Sequence, residues 1–225
     1  SKGGGGGGSQ LNVNDHQAKA KVSPLIQEAL QKLAGGKSLS QKKEGFLSYC
    51  GKKVVKALTT SPQKLPIAKY DRPVDKVYFF VDTSGSVATF GNFIISMIKS
   101  AKQAENIIVW SGSEAHPCKD ENKGVDKIDY IYDFAENMQA WINLEQPQVG
   151  STLVFWGDLQ DANIDPVKLK KVCQNYKCVW LHCIERHQVN QYNRSEAEQI
   201  IQAGFKLVKA VVCEKSLARG INSLL

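Results

Sequence analysis

From Lys76 onward, short continuous apolar runs alternate with stretches whose apolar positions recur at helical spacing. The runs are VYFFVD (77–82), NIIVWSG (106–112), KIDYIYDF (127–134), TLVFWGD (152–158), CVWLHCIE (178–185) and KLVKAVV (206–212). Each is short and rich in β-branched or aromatic residues, and predicts a buried strand. Between and after them, 90–104, 135–144, 165–176, 195–205 and 215–225 predict helices. Apolar strands separated by helices imply a doubly wound α/β domain with helices on both faces of a mostly parallel, six-stranded sheet.

The first third of the chain follows a different pattern. SKGGGGGGSQ (1–10) reads as a flexible linker, because six consecutive glycines hold no fixed conformation cheaply; it joins an upstream segment or is an addition. SPLIQEALQKLAGG (23–36) predicts a short amphipathic helix with Ser23 as N-cap, Pro24 in the first turn and Gly35 as stop. SQKKEGFLSYCGKKVVKALTT (40–60) predicts a second, lysine-studded helix interrupted by Gly45 and Gly51, and SPQKLPIAKYDRP (61–73) a connector. Residues 11–74 are therefore expected to form a basic, partly helical extension, and 75–225 the main domain.

Charge sharpens that division. The net charge is +7, with +8 in residues 1–75 and −1 in the rest. A basic segment of this kind is a solvated lysine face or a contact for phosphates or acidic protein. Its helical part has Phe46 and Tyr49 as aromatics, which make no base-stacking platform. No apolar run reaches the roughly 18–20 residues needed to cross a bilayer, and no signal-peptide pattern opens the chain, so no membrane contact is expected. The six cysteines suggest no disulfide framework; reduced thiols in a cytoplasmic protein are the expectation.

In open α/β sheets, ligands bind outside the carboxyl ends of the strands. The polar residues there are Asp82 to Ser86, Ser111 to Glu114, Asp158 to Asp161 and Glu185 to His187. In DTSGS (82–86), Gly85 permits a tight turn, and Asp82, Ser84 and Ser86 can converge on one point above the sheet edge. One carboxylate and two hydroxyls are hard oxygen ligands, suited to Mg²⁺ or Mn²⁺ and not to zinc. The competing reading is a helix N-cap, with Ser84 or Ser86 bonded to backbone N–H groups.

DTSGS after VYFFV resembles D-x-S-x-S, the first element of the metal-ion-dependent adhesion site of von Willebrand factor A (vWA) domains, and the resemblance extends over about residues 75–220. It implies a Rossmann-like vWA fold with a Mg²⁺ site that serines, a later threonine and aspartates build, and whose shell a partner's Asp or Glu completes. Asp158 fits the family's aspartate at the end of the fourth strand. Thr152 in VGST is offered for the threonine, but the family usually places a helix between the two, and only five residues separate them here. An extended 153–157 spans roughly 16–17 Å, which puts Thr152 at the far end of the strand. A second frame makes 153–165 helical and puts Glu185 in the aspartate's place, at the loss of a strand. Ser111 or Ser113 is an alternative source of the hydroxyl; both, with Asp161, are candidates for partner contact, Asp161 reading otherwise as solvated or part of an N-cap.

Other chemistry is thinner. His116 with Cys118, and His182, Cys183 and His187, carry the atoms zinc uses, but no second pair stands at ligand spacing and alternation sends His182 and Cys183 to opposite faces. A haloacid-dehalogenase-type phosphatase needs a second acid where Ser84 stands. No G-x-S-x-G, phosphate-binding G-x-x-x-x-G-K-[ST] or H-E-x-x-H motif occurs. The expectation is a non-catalytic, divalent-metal-dependent protein-binding module whose partner presents an Asp or Glu carboxylate. Intracellular vWA proteins of this kind act as adaptors for AAA+ ATPases, which the resemblance adds as a partner class. Two alternatives stand beside it: a nucleic-acid-associated module using the basic first third, and a vWA scaffold with a degenerate metal site.

Overall fold

The computed structural model describes residues 20–34, 76–112, 126–127, 133–160, 162–184 and 194–225. Contacts divide the chain into one unit of Ser1–Gly35 with Asp75–Leu225 and a second of Gly36–Val74. The second unit, and with it the expected helix over 40–60 and the connector, lies outside the described residues, as does the glycine linker.

The strands are β1 (Val77–Val81), β2 (Ile107–Ser111), the two-residue β3 (Asp126–Lys127), β4 (Thr152–Gly157), β5 (Lys177–His182) and β6 (Lys206–Val208). Five of them, in the order β2–β1–β4–β5–β6, make an all-parallel sheet, and β3 pairs in parallel with Trp110 and Ser111 beyond β2. The helices are α1 (Pro24–Leu33), α2 (Gly91–Gln103), α3 (Phe134–Glu145), α4 (Pro166–Cys173), α5 (Arg194–Gln202) and α6 (Glu214–Asn222), with a 3₁₀ segment Gly85–Phe90 leading into α2.

The third expected strand, 127–134, is corrected in part. Strand pairing covers Asp126–Lys127, 128–132 lie outside the described residues, and Phe134 opens a helix. Phe134, Met138 and Trp141 are fully buried, at the four- and three-residue steps of one helical face, so burial favours helix from Phe134 onward. Asp133, in the left-handed region at φ 50°, makes the turn into it.

Parallel register lines up aromatic residues from four strands. Trp110, Phe80, Phe155 and Trp180 form one row across β2, β1, β4 and β5. Phe80 stacks on Phe155 at 4.5 Å and Phe155 on Trp180 at 5.7 Å. Trp141 of α3 meets Tyr78, Phe80 and Trp110 edge-on at 5.0–6.0 Å, geometry worth about 0.5–1.5 kcal/mol per pair beyond area burial. Alternation puts Trp156 on the other face, edge-on to Phe90 and Phe93 at the start of α2, with its Nε1–H donating to Val211 O at 2.9 Å.

Ser23 caps α1, accepting from Ile26 N as the sequence predicts. Ile26 and Leu30 are fully buried, and α1 packs against α2 and α6. Polar contacts fix its entry: Ser23 N donates to Ser100 Oγ (2.7 Å), Ser23 Oγ to Glu214 Oε2 (2.7 Å), and Ser96 Oγ to Lys21 O (2.9 Å).

The sheet grows outward from β1 to β2, then the chain crosses back to lay β4 on the opposite side of β1. The carboxyl ends of β1 and β4 therefore flank the point where strand order reverses, which in open α/β sheets is where a crevice forms.

Candidate functional site

Asp82 follows the last residue of β1 and Asp158 the last residue of β4, so the two carboxylates stand on either side of that reversal. Asp82 is fully buried. Its N–H donates to Trp156 O at 2.9 Å, and its Oδ1 accepts from Ser84 N at 2.8 Å. The side chain lies directly over Gly157: a Cβ there would stand 2.8 Å from Asp82 Oδ2 and 2.9 Å from Asp82 Cβ. The absence of a side chain at 157 thus makes room for the carboxylate.

Asp158 is buried and accepts from Gln160 N at Oδ1, 2.9 Å. The next residue, Leu159, has φ 60° and a buried side chain in the aromatic cluster. This left-handed turn lets the chain place a carboxylate at the edge and a leucine in the core in consecutive positions.

Ser84 is half-buried and Ser86 exposed, with their hydroxyls 2.9 Å apart. Ser84 precedes the 3₁₀ segment but makes no side-chain capping bond. Its N–H serves Asp82 and its hydroxyl faces Ser86, so the N-cap reading of Ser84 does not describe the geometry. Ser111, at the end of β2 and in register with Val81, is buried; its Oγ lies 3.0 Å from Thr83 Oγ1. Thr83 fills a spacer position of D-x-S-x-S, which names no ligand there; its place two residues beyond the buried strand β1 is the signal that it belongs to this edge.

Thr152 is not brought to this edge. It pairs with Val77 at the start of β1, while Trp156 pairs with Val81, so the length of the strand separates it from Asp82. Its position in register, with β4 extended from Thr152 to Gly157, is the physical reason, and the frame that made 153–165 helical fails with it. Ser113, Asp161, Glu185 and His187 lie outside the described residues.

Two residues of the β5 end join the site. Cys183 N donates to Gly157 O at 3.1 Å. Burial, and after it the charges of Asp158 and Asp82, push the Cys183 thiol well above the ordinary thiol range, so both carboxylates act on one point. His182, in register with Gly157, is 2% exposed. Burial holds its imidazole below the ordinary histidine range, against the weaker opposing pull of Asp158. Among the described residues no three His, Cys, Asp or Glu side chains gather as a metal-binding group. The oxygen donors at this edge are two carboxylates and the hydroxyls of Ser84, Ser86, Thr83 and Ser111.

No protein-family model matches the chain, and no curated protein matches it.

Proposed function

We propose that this chain is a non-catalytic protein-binding module that engages its partner through a divalent cation, Mg²⁺ or Mn²⁺, at the carboxyl ends of β1 and β4. The observation that carries this reading is the placement of Asp82 and Asp158 on either side of the strand-order reversal, with the paired Ser84 and Ser86 hydroxyls on the same loop as Asp82. An all-oxygen donor set fits a hard cation. Asp82, Ser84, Ser86 and Asp158 would hold it, and the bound ion would supply an open position for an anionic oxygen such as a partner's Asp or Glu carboxylate. Backbone N–H groups from Ser84 and Gln160 fix one oxygen of each aspartate and so orient both carboxylates before anything binds. Gly157 keeps the space above β4 clear for Asp82.

The fold reading that accompanies this is a doubly wound, six-stranded vWA-like domain acting in the cytoplasm, with an AAA+ ATPase as a partner class. The order of the strands and the contacts of α2 and α3 with opposite sides of the sheet support the doubly wound α/β part of that reading. Thermal unfolding in EDTA and then in millimolar Mg²⁺ or Mn²⁺, for wild type and Asp82→Ala, tests the reading. A ligand that binds the native state alone stabilises it by about 1–3 kcal/mol at 10–100 times Kd. A metal-dependent rise in wild type that Asp82→Ala loses supports the proposal; a wild type indifferent to metal overturns it. The second reading, a scaffold with a degenerate site, is favoured by Thr152 standing at the opposite end of β4.

A further inference from the structure

The loop that carries Asp82, Ser84 and Ser86 leaves the sheet between two neighbours, β4 and β2. On the β4 side it is tied by its backbone, Asp82 N donating to Trp156 O. On the β2 side, Gly112 N donates to Val81 O at 2.9 Å, and beyond that point the tie passes to side chains: Thr83 Oγ1 and Ser111 Oγ meet at 3.0 Å. Both residues are buried, at 6% and 8% exposure, and so is the contact between their hydroxyls. A valine would fill the volume of Thr83, and an alanine would remove little from Ser111, so packing alone gives no reason for two hydroxyls here. Buried polar groups are kept where each satisfies the other.

We propose that the Thr83–Ser111 hydroxyl pair is a positioning element for the cation site, clamping the loop to β2 so that Asp82 and the Ser84–Ser86 hydroxyls keep their mutual placement. It rests on the metal reading above. Thr83 lies between Asp82 and Ser84, so any rotation of its backbone changes the aim of the carboxylate on one side and the hydroxyl on the other. Removing either hydroxyl leaves the other buried without its partner, and the loop can satisfy it only by moving toward solvent. Groups that orient a metal's ligands in this way typically contribute about 10–100-fold in affinity.

The test is Mn²⁺ binding to the full chain, followed by the electron paramagnetic resonance of free Mn²⁺, with unfolding in EDTA measured alongside. Thr83→Val and Ser111→Ala are each expected to weaken Mn²⁺ binding by about 10–100-fold. The double variant should be no weaker than the weaker single one, because both act through the same bond. Thr83→Ser, which keeps the hydroxyl, should restore affinity; a purely space-filling role for Thr83 would leave Thr83→Val the better of the two. Should Thr83→Val fail to fold, Ser111→Ala carries the comparison. A wild type that binds Mn²⁺ with an affinity that Thr83→Val or Ser111→Ala leaves unchanged overturns this inference alone. A wild type that takes no Mn²⁺ overturns both it and the metal reading.

Discussion

Replacing Gly157 by alanine is the most direct steric probe of where Asp82 sits. The backbone at 157 lies outside the left-handed region, so alanine meets no conformational objection of its own. The added Cβ would stand 2.8 Å from Asp82 Oδ2 and 2.9 Å from Asp82 Cβ. Ordinary contacts lie near 3.5–4.0 Å, so one of the two strands must yield by something of the order of 1 Å. Neither yields easily: Asp82 is fully buried, its N–H is bonded to Trp156 O and its Oδ1 to Ser84 N. Overpacking of this kind costs about 1–3 kcal/mol, and a chain of this size loses about 2–4 °C of melting temperature per kcal/mol. Gly157→Ala is therefore expected to melt about 2–12 °C below wild type in EDTA and to lose the metal-dependent rise, because the carboxylate has been pushed out of place. In that background Asp82→Ala should recover only part of the stability, since the contact to the Cβ of residue 82 remains. A Gly157→Ala protein that melts with wild type and keeps its response to Mn²⁺ would refute the placement of the carboxylate over β4.

Two further outcomes follow from other parts of the molecule. Cys173, Cys178 and Cys183 are buried, and Cys213 is exposed at the start of α6. Hydrogen bonds from the Ser216 side chain and backbone hold the Cys213 thiol below its ordinary value, so its thiolate forms at lower pH. Maleimide labelling of Cys213 should have its midpoint below the usual thiol value of about 8.5, and Ser216→Ala should raise it; a midpoint that does not move with Ser216 refutes the cause assigned. Glu214 accepts from Ser23 Oγ at 2.7 Å and Ser96 Oγ at 3.3 Å, and so ties α1 to α2 and α6. Glu214→Ala should cost about 1.5 kcal/mol, the low end for bonds to a half-exposed charge, and should speed proteolysis before Pro24; unchanged cleavage would show that apolar packing holds α1 unaided.

Four strands of the sheet were legible because VYFFV, IIVWS, TLVFWG and CVWLH are dense enough in apolar residues to bury both faces; the sparser KLVKAVV (206–212) pairs only over Lys206–Val208, at an edge where it is half-buried at best. Asp82 and Asp158 followed from the same reasoning, since a residue one step past a buried parallel strand stands at its carboxyl edge. What the sequence hid depends on register. Thr152 and Asp158 belong to one motif-like stretch, but only the pairing of Thr152 with Val77 settles that the two lie at opposite ends of one strand. Gly157 looked like an ordinary strand terminus until Asp82, 75 positions earlier, was laid over it. Phe134 closes the run KIDYIYDF and so reads as strand; its helical partners Met138 and Trp141 lie beyond that run. The capping of α1 was local and readable, whereas its docking through Ser96, Ser100 and Glu214 draws on residues far along the chain.

The edge where β1, β4 and β5 end carries several local costs. Leu159 occupies the left-handed region, at roughly 1–2 kcal/mol for a residue with a side chain. Two carboxylates are buried there, and both bear on the Cys183 thiol. The first cost is offset locally: burying the Leu159 side chain in the aromatic cluster contributes about 1.5–3 kcal/mol. The second is reduced by the N–H groups of Ser84 and Gln160, which solvate the carboxylates in place of water. A divalent cation would cancel it. In the unfolded chain the same carboxylates are hydrated and far apart on average, so a cation gains little from them there. The difference between those two affinities is what would make metal binding visible as added stability. A scaffold with a dead site would unfold at the same temperature with and without metal, which is why the metal dependence of unfolding separates the two readings.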